Sequence, residues 1–473
     1  MNNLVIDMTH GGVKIAIGLA KKGRNVLAYD IYNTLNIVDR KMLEVYDVWL
    51  LNDLSELETY RGEMRIIYPV HLPLTHDEIM KNNPELSYTF STHHETVKEL
   101  LEDWGDDIKK VEITGVKGKT SSVFMLKEIM IDENPLILSS LGALLYEDGK
   151  EIVLKRDISI TPANIKETID LAYKIANPIC KIADGIVESE NLRKYNSAIF
   201  ESSLGVSGIG DVGLLTNISE NYPIAKDRVT ASDVKKQVFN CGTVVCNKES
   251  LDMHYSDVKH PKVNTFSIDD DESNLYASDV SYSLDKSEIT VNYRDVRTIN
   301  DNVLNGTLTV KTFAPGRHHV SNVLGVILTS LALDIDENKI VDGLANFNGI
   351  TGRTTKRSNG DFTVIEEINP GINTNAIRQS IEMIEDMNRW YVSIGGDYGI
   401  TCEEIDEMKV AKYLESLECE IILTGDVGSS IAGKLTKDVA IMKDYEDVYD
   451  LALKNNKNLL FIYRSDYRKV SQR

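Results

Sequence analysis

The feature that most constrains the fold is a strand–loop–helix segment around residue 115. Val111-Glu112-Ile113 is a short apolar strand candidate, and residues 114–120 read Thr-Gly-Val-Lys-Gly-Lys-Thr. The stretch from Thr120 to Met130 is predicted to be a helix. A loop that leaves a strand and opens a helix is typical of an α/β fold, in which helices cover a mostly parallel sheet.

This loop has the composition of a phosphate-binding loop. Its glycines let backbone N–H groups close around phosphate oxygens, and the start of the helix adds a partial positive charge. Lys119 would neutralise the β- and γ-phosphates, and the Thr120 hydroxyl would ligate Mg²⁺. Ile113 stands where the full Walker pattern has a further glycine, so an ordinary turn is the alternative. The predicted nucleotide-binding residues of this segment are Thr114, Gly115, Val116, Lys117, Gly118, Lys119, Thr120 and Ser121.

Strand and helix candidates alternate along most of the 473 residues, which suggest about three domains. Leu4-Val5-Ile6, a Gly-Gly turn and an amphipathic stretch open a Rossmann-type unit. From Tyr276 to Thr312 the apolar period changes to two, and Asn305-Gly306 signals a hairpin turn. The fold class is therefore α/β, with a Rossmann-like N-terminal domain, a P-loop central domain bearing a small antiparallel patch, and a Rossmann-like C-terminal domain. The predicted domains are residues 1–107, 108–350 and 351–473.

Composition excludes several classes of protein. The hydrophobic fraction of 42% and the charged fraction of 26% exclude collagen-like, disordered and coiled-coil chains. The 52 basic and 73 acidic side chains give a net charge of −21, which disfavours nucleic acid and anionic membranes as partners. Five cysteines without a Cys-x-x-Cys pair, and no signal peptide or spanning segment, lead us to expect a reduced, cytoplasmic protein.

Beyond the loop, further segments resemble the Mur ligase superfamily, which includes the folylpolyglutamate synthetases. The shortened loop is itself similar to that of the superfamily, and the resemblance continues in the right order through most of residues 109–473. The matching segments are Glu201 in Ile-Phe-Glu-Ser-Ser, residues 216–222 (Thr-Asn-Ile-Ser-Glu-Asn-Tyr), Lys235, residues 316–322 (Gly-Arg-His-His-Val-Ser-Asn), Gly352-Arg353, residues 395–397 (Gly-Gly-Asp) and residues 424–426 (Thr-Gly-Asp).

The resemblance implies ATP and Mg²⁺ as cofactors and a role for each matching residue. Thr120, Glu201 and Lys235 would form the metal site, with Lys235 as a carbamate. His319 and Asn322 would meet the adenine, Arg353 the γ-phosphate, and Asp397 another part of the nucleotide. Lys119, Arg353 and Lys235 are the predicted catalytic residues. Each has an ordinary alternative: Glu201 as a strand-end carboxylate, Lys235 as a solvated lysine, and Asp397 as a turn residue.

Some positions depart from the pattern of the superfamily. Its metal-ligating histidine is Tyr222 here, and the aspartate before it is Asn221. The first asparagine of the adenine segment is His319, and the loop position usually held by asparagine is Lys117. We therefore expect either that one metal position is rebuilt or that a water replaces the missing ligand.

The turn that follows the first strand, Asp7-Met8-Thr9-His10-Gly11-Gly12, is not a dinucleotide fingerprint. Together with the Mur-like core it resembles the methanogen branch that makes coenzyme F(430), a nickel tetrapyrrole. That resemblance implies activation of a side-chain carboxylate as an acyl phosphate, followed by attack of a ring carbon of the same molecule. The predicted substrate contacts are Thr9, His10, Gly11, Gly12, His71 and His93; surface or helix-cap histidines are the alternative.

Two other functions fit the same motifs. One is an amide-forming ligase that adds an amino acid to a carboxylate. The other is a nucleotide-binding regulatory protein that has lost catalysis, for which Asn221 and Tyr222 are the main support. The oligomeric state is left open.

Overall fold

The computed structural model describes residues 1–176, 180–182, 185–187, 193–225, 228–351, 353–399 and 405–465. The chain folds into two compact units. The first unit consists of Met1–Ala277, Val291–Leu308 and Leu324–Gly343; the second consists of Ser278–Thr290, Thr309–Val323 and Leu344–Arg473. The boundary predicted at residue 107 falls inside the first unit, and the division into three domains stays a prediction.

The first part of the chain folds into a parallel sheet of strand order β3-β2-β1-β4-β5 with helices between its strands. Apolar runs such as Leu4-Val5-Ile6 are fully buried, as expected for parallel strands covered on both faces. The elements are β1 Asn2–Ile6, α1 Val13–Lys21, β2 Asn25–Tyr29, α2 Ile37–Val45, β3 Trp49–Leu51, β4 Glu63–Tyr68, α3 His76–Met80, β5 Ser87–Thr92 and α4 His93–Leu100.

The next part builds a larger sheet around the strand that precedes the glycine-rich loop. Its elements are β6 Lys109–Thr114, α5 Lys119–Ile129, β7 Leu136–Ser139, β8 Gly142–Glu147, β9 Lys150–Lys155, α6 Pro162–Ala176, β10 Cys180–Ile182, β11 Gly185–Val187, β12 Ser197–Glu201, β13 Val212–Leu215, β14 Pro223–Ile224, β15 Val229–Thr230, α7 Ala231–Lys235, β16 Thr243–Asn247, α8 Lys248–His254, β17 Val263–Ser267, β18 Leu275–Ser281, β19 Ser287–Arg297, β20 Val303–Thr312, α9 Arg317–Ala332 and α10 Glu337–Asn346.

The strand order of this sheet is β20-β19-β18-β17-β16-β13-β6-β12-β7-β8-β9. Strands β17, β16, β13, β6, β12 and β7 pair in parallel, and β7, β8 and β9 form an antiparallel edge. β6 lies between β12 and β13, so the loop after β6 opens at the carboxyl ends of both neighbours, where α/β proteins bind ligands.

The hairpin turn predicted at Asn305-Gly306 is wrong. These residues lie inside β20, and the connection from β19 runs through residues 298–302. Asp301 takes the left-handed conformation there, with φ of +64°. Close packing explains the glycine at position 306, because a Cβ atom there would lie 2.4 Å from the Tyr293 hydroxyl.

The last part of the chain forms a sheet of order β21-β22-β26-β23-β24-β25, parallel except for the β21–β22 pair. Apolar clusters cover both of its faces. Its elements are β21 Thr354–Asn359, β22 Phe362–Ile368, α11 Thr374–Ile381, β23 Trp390–Gly396, α12 Glu407–Glu415, β24 Glu420–Thr424, α13 Gly425–Ala432, β25 Ala440–Met442, α14 Tyr445–Lys454 and β26 Asn458–Arg464.

Within the first unit, one hydrophobic cluster joins the five-stranded sheet to the eleven-stranded sheet. Ile15 on α1 and Val97 on α4 belong to the same buried cluster as Ile169 on α6 and Phe200 on β12. Gly11 is part of this packing, since a Cβ atom on it would lie 2.4 Å from the Cβ of Ala163. The turn after β1 is therefore fixed against the N-terminal end of α6.

A buried carboxylate orders the loop that follows β12. Glu112 on β6 is fully buried and accepts hydrogen bonds from the backbone N–H groups of Ser207, Gly208 and Gly210, at 2.7–3.1 Å. The Ser207 hydroxyl donates a further bond at 2.7 Å. Such charge-assisted bonds hold residues 207–210 against the sheet.

Within the described residues, no helix is both long and apolar enough to cross a bilayer.

Candidate functional site

The loop between β6 and α5 depends on glycine at two positions. Gly115 has φ of +141°, and a Cβ atom on it would lie 2.0 Å from the Thr216 hydroxyl. Gly118 precedes α5 in the left-handed conformation, with φ of +84°. No side chain caps this helix start, and the partial positive charge at the N-terminus of α5 suits a ligand such as phosphate.

The loop is held by the residues that follow β13. The Val116 N–H donates to the backbone carbonyl of Asn217 at 2.9 Å, and the Lys117 N–H donates to the side-chain oxygen of Asn217 at 3.3 Å. The Thr216 hydroxyl donates to the Lys117 carbonyl at 2.6 Å. The Thr-Asn pair of residues 216–217 therefore fixes the shape of the phosphate loop from the neighbouring strand.

The end of β12 brings a carboxylate to the start of α5. The Thr120 hydroxyl donates to the carboxylate of Glu201, with oxygen distances of 3.0 and 3.1 Å. The Ser140 N–H donates to the same carboxylate at 3.1 Å, and Lys119 bends over the loop to the Gly115 carbonyl at 3.0 Å. Thr120 and Glu201 are both buried. This pair of oxygen donors beside a phosphate loop fits a Mg²⁺ ion, which prefers hard oxygen ligands.

Lys235, at the end of α7, is fully buried rather than solvated. Its amine donates to the carbonyl of Ser203 at 2.5 Å. Burial lowers the pKa of Lys235 well below its usual value, and the nearby charge of Lys119 adds to this effect. The loop after β12 presses on this helix, since a Cβ atom on Gly205 would lie 2.2 Å from the Val234 carbonyl. The lowered pKa increases the share of the neutral amine, which is the form that reacts with carbon dioxide.

Asn221 and Tyr222, which differ from the superfamily pattern, adjoin the start of the same helix. The side-chain oxygen of Asn221 accepts from the Ser232 N–H, and the Tyr222 carbonyl accepts from the Ala231 N–H, both at 2.9 Å. These bonds tie the segment after β13 to α7, the helix that carries Lys235.

In the second unit, His319 belongs to a buried polar chain. Its Nε2 lies 2.8 Å from the Thr354 hydroxyl, which donates to the carboxylate of Glu367 at 2.5 Å. Burial raises the pKa of Glu367 to about 7, although Thr354 and the charge of Arg353 oppose this rise. Burial also lowers the pKa of His319 well below its usual value, so the imidazole is neutral.

The other predicted nucleotide residues of this unit occupy different environments. Asn322 is buried on α9, and Arg353 is half-buried just before β21. Asp397 follows β23 and accepts hydrogen bonds from the Tyr463 and Ser465 hydroxyls at 2.9 and 2.7 Å. Its carboxylate therefore orders the ends of β23 and β26. Gly352 and residues 400–404 lie outside the described residues.

The turn after β1 places two histidines around one buried carboxylate. Asp7 is fully buried, and its Oδ2 lies 2.7 Å from Nδ1 of His10 and 3.5 Å from Nε2 of His71. Burial raises the pKa of Asp7, but hydrogen bonds from both histidines outweigh burial, and the net pKa lies well below its usual value. The hydrogen bond to Asp7 raises the pKa of His10.

The remaining predicted substrate residues surround this turn. The hydroxyl of Thr9 lies within hydrogen-bond distance of the Thr34 hydroxyl. A Cβ atom on Gly12 would lie 2.1 Å from the Asp7 carbonyl, which explains this glycine by close packing. His93 is buried, its Nε2 lies 3.0 Å from the Ile6 carbonyl, and burial lowers its pKa to about 4. A substrate contact by His93 stays a prediction.

Sequence reasoning did not include some residues that the fold brings to these sites. Asp7 had a local signal, because it ends a strand and begins the Asp-x-Thr-His-Gly-Gly turn. Glu367 had a weaker one, the acidic pair at the end of a strand. Ser140, Ser203 and Thr354 reach these sites through contacts with residues distant in sequence, and no local pattern marks them.

Known proteins are similar to this chain at the level of sequence. Residues 356–466 match the family model described as "Coenzyme F430 synthetase CfbE, C-terminal domain". The coenzyme F(430) synthetase of Methanocaldococcus jannaschii is 26% identical over 456 residues, which cover 94% of this chain and 95% of that protein. The coenzyme F(430) synthetase of Methanosarcina acetivorans is 25% identical over 460 residues, 91% of each chain.

Solved structures are similar in fold. MurF from Acinetobacter baumannii aligns with a TM-score of 0.57 and 14% identity, over 86% of this chain and 83% of that one. A pseudomurein peptide ligase type C from Methanothermus fervidus aligns with a TM-score of 0.52 and 16% identity, over 100% and 98% of the two chains. The chain is therefore similar over almost its whole length to coenzyme F(430) synthetases, and it has the fold of the Mur ligases.

Proposed function

We propose that this enzyme closes a carbocyclic ring in the last step of coenzyme F(430) biosynthesis, at the expense of ATP. The observation that carries the ATP-dependent part is the buried Thr120–Glu201 pair beside Lys119 at the start of α5. The similarity to coenzyme F(430) synthetases over 94% of the chain supports the substrate, a nickel seco-tetrapyrrole that carries several carboxylates.

The proposed reaction has two steps. A side-chain carboxylate oxygen of the tetrapyrrole attacks the γ-phosphorus of ATP, and the bond to ADP breaks to give an acyl phosphate. A ring carbon of the same molecule then attacks the acyl carbon, and phosphate leaves. The ring carbon that attacked loses a proton. The tetrapyrrole thus loses one water overall, and no amine takes part.

The residues of the first unit would act on the phosphates. Lys119 and the N–H groups at the start of α5 would bind the β- and γ-phosphate oxygens and stabilise charge during transfer. Thr120, Glu201 and Lys235 as a carbamate would hold Mg²⁺, which neutralises phosphate charge when bound. The lowered pKa of Lys235 supports the carbamate, because the neutral amine is the form that reacts with carbon dioxide.

The superfamily resemblance also implies nucleotide contacts for residues of the second unit. Arg353 would contact the γ-phosphate, and His319 and Asn322 would contact the adenine, as the superfamily resemblance implies. The neutral state of the buried His319 favours stacking or hydrogen bonding with a neutral base over binding of an anion. Asp397 would contact the nucleotide from the end of β23.

We assign substrate recognition to the turn after β1. Thr9, His10, Gly11 and Gly12, with His71 and His93, are the proposed contacts for the carboxylates of the tetrapyrrole. The raised pKa of His10 supports this role, because a protonated imidazole attracts carboxylates. We expect no nucleic-acid or membrane partner, and a cytoplasmic location.

The deciding experiment is incubation with ATP, Mg²⁺ and the nickel seco-precursor, without any amine. Loss of one water from the tetrapyrrole, with release of ADP and phosphate, is the expected result. ATP turnover that requires an added amino acid would instead establish an amide ligase. ATP binding without turnover on any carboxylate would favour a regulatory protein.

Replacement of the loop lysine tests the nucleotide site itself. Lys119→Ala is expected to lower ATP turnover by about 10²–10³-fold, because it removes a group that stabilises phosphoryl charge. Lys127→Gln, on the same helix but eight residues beyond Lys119, is the matched control and should keep turnover. Full turnover by Lys119→Ala would overturn the assignment of the loop.

A further inference from the structure

We propose that Asp7, His10 and His71, here called the Asp7 cluster, form a binding site for a divalent transition-metal ion. The site is separate from the Mg²⁺ site at the phosphate loop and uses different ligand chemistry. Two imidazole nitrogens and one carboxylate oxygen suit Zn²⁺, Co²⁺ or Ni²⁺, whereas Mg²⁺ prefers oxygen ligands.

The distances between the donor atoms carry this inference. Nδ1 of His10 lies 2.7 Å from Oδ2 of Asp7, Nε2 of His71 lies 3.5 Å from that oxygen, and the two nitrogens are 3.2 Å apart. Ligand bonds to zinc of about 2.0–2.2 Å place neighbouring donors of a tetrahedral ion about 3.3 Å apart. One ion can therefore contact all three atoms from one side of the triangle that they form.

The carboxylate is held in the orientation that a metal ligand needs. Oδ1 of Asp7 accepts hydrogen bonds from the backbone N–H groups of Thr9 and His10 at 2.8 and 3.2 Å. These bonds direct Oδ2 toward the two histidines. Outer hydrogen bonds of this kind fix metal-ligating carboxylates. Asp7 has φ of +76°, a conformation that is uncommon for a non-glycine residue, and its carboxylate is fully buried.

The strand order explains how distant residues meet here. Asp7 ends β1 and His71 follows β4, the neighbouring parallel strand. Parallel neighbours end at the same edge of a sheet, where α/β proteins place ligands. The metal donors therefore lie at the ligand-binding edge of the first sheet.

The cluster is open on one side. The side chain of His10 is 43% exposed and that of His71 is 21% exposed, while Asp7 forms the buried base. An ion with three protein ligands keeps a position for water or for a carboxylate oxygen of a bound molecule, as catalytic metal sites do. Without an ion, the alternative is a simple hydrogen-bonded pair between Asp7 and a protonated His10.

Cobalt binding tests the proposal, because Co²⁺ in a nitrogen–oxygen site gives visible absorption bands. The full chain, stripped with a chelator and kept in excess Mg²⁺ to fill the nucleotide site, is titrated with Co²⁺ and, by calorimetry, with Zn²⁺. We expect a site with one ion per chain. The assay needs neither ATP nor a tetrapyrrole, so its outcome is independent of the proposed function.

Variants assign the site to these residues. His10→Gln and His71→Gln are each expected to weaken Co²⁺ binding at least 10-fold and to change the visible spectrum. His76→Gln, an exposed histidine on α3, is the control and should bind as the unaltered chain does. Because Asp7 is buried, the test relies on the two histidine variants. Thermal unfolding verifies that these variants are folded. Equal Co²⁺ binding by the unaltered chain and the double histidine variant, or no binding by either, would overturn the proposal.

Discussion

Lys235 shows how burial changes the chemistry of a single residue. A lysine on a short polar helix is ordinarily solvated and charged, yet here the amine is enclosed and donates to the carbonyl of Ser203. Burial lowers its pKa, and Lys119 lowers it further. The lowered pKa raises the share of the neutral, nucleophilic amine above that of an exposed lysine.

We predict that Lys235 carries a carbamate. Protein equilibrated with ¹³C-bicarbonate should show a carbamate carbon signal in its NMR spectrum, and Lys235→Gln should lack that signal. Activity of Lys235→Gln should fall at least about 10-fold, as for loss of a group that supports a metal site. Lys236→Gln changes the exposed neighbour and is the matched control. A signal that persists in Lys235→Gln would place the carbamate elsewhere.

We also predict a pH dependence from Glu367. Its pKa is about 7 in the folded chain against 4.5 for an ordinary glutamate, so the folded state holds the proton more tightly. The stability that Glu367 contributes is therefore complete below pH 4.5 and is lost as pH rises toward 7. The free energy of unfolding, relative to Glu367→Gln, should fall by up to about 1.4 kcal/mol per pH unit in this range.

Urea titrations of both proteins at fixed pH values measure this difference. The difference in unfolding free energy between the two proteins should stop changing above pH 7, where the Glu367 carboxyl is ionised in both the folded and the unfolded state. A difference that stays constant from pH 4.5 to 7 would show that Glu367 is already ionised in the folded chain, with the charge of Arg353 outweighing burial.

At the scale of elements, the phosphate loop depends on its neighbour in the sheet. The helix predicted from Thr120 to Met130 is found from Lys119 to Ile129, so the local pattern located it well. The shape of the loop, however, comes from contacts with the Thr-Asn pair after β13. Those contacts exist only because β13 pairs with β6, a relation across about 100 residues that local periodicity does not contain.

A substitution at Gly115 tests this dependence. Gly115→Ala should destabilise the chain by at least about 1–2 kcal/mol and weaken Mg²⁺-ATP binding, because its Cβ atom would meet the Thr216 hydroxyl at 2.0 Å. Gly149→Ala is the control: Gly149 also has positive φ, +75°, but nothing lies within 4 Å of its Cβ position. Calorimetry with ATP compares the two variants. Equal ATP affinity would contradict the role of the close contact.

At the scale of the whole molecule, the net charge of −21 determines how the stability of the fold responds to salt. Repulsion among like charges opposes the compact state, and salt screens it. Lys117 and Lys119, which we propose bind phosphate, bring two positive charges to one loop of this acidic chain.

We predict that salt stabilises this protein. Raising KCl from about 0.05 M to about 0.5 M shortens the screening length from roughly 14 to 4 Å, so the urea midpoint at pH 7 should rise. The rise should be smaller near pH 5, since the isoelectric point is about 4.9. Urea is preferable to guanidinium, which is itself a salt. An unchanged midpoint at pH 7 would show that charge repulsion is already balanced by local pairing.

The sequence alone determined the α/β class, the strand–loop–helix unit around residue 115 and the order of the segments that resemble the superfamily, because each depends on a short stretch of residues. It also predicted His10 and His71 as substrate contacts, but it could not pair them with Asp7. Tertiary structure decided that pairing, the burial of Lys235 and the chain from His319 through Thr354 to Glu367. The physical reason is that hydrogen bonds, desolvation and charge interactions depend on distance in space, and strand order sets that distance.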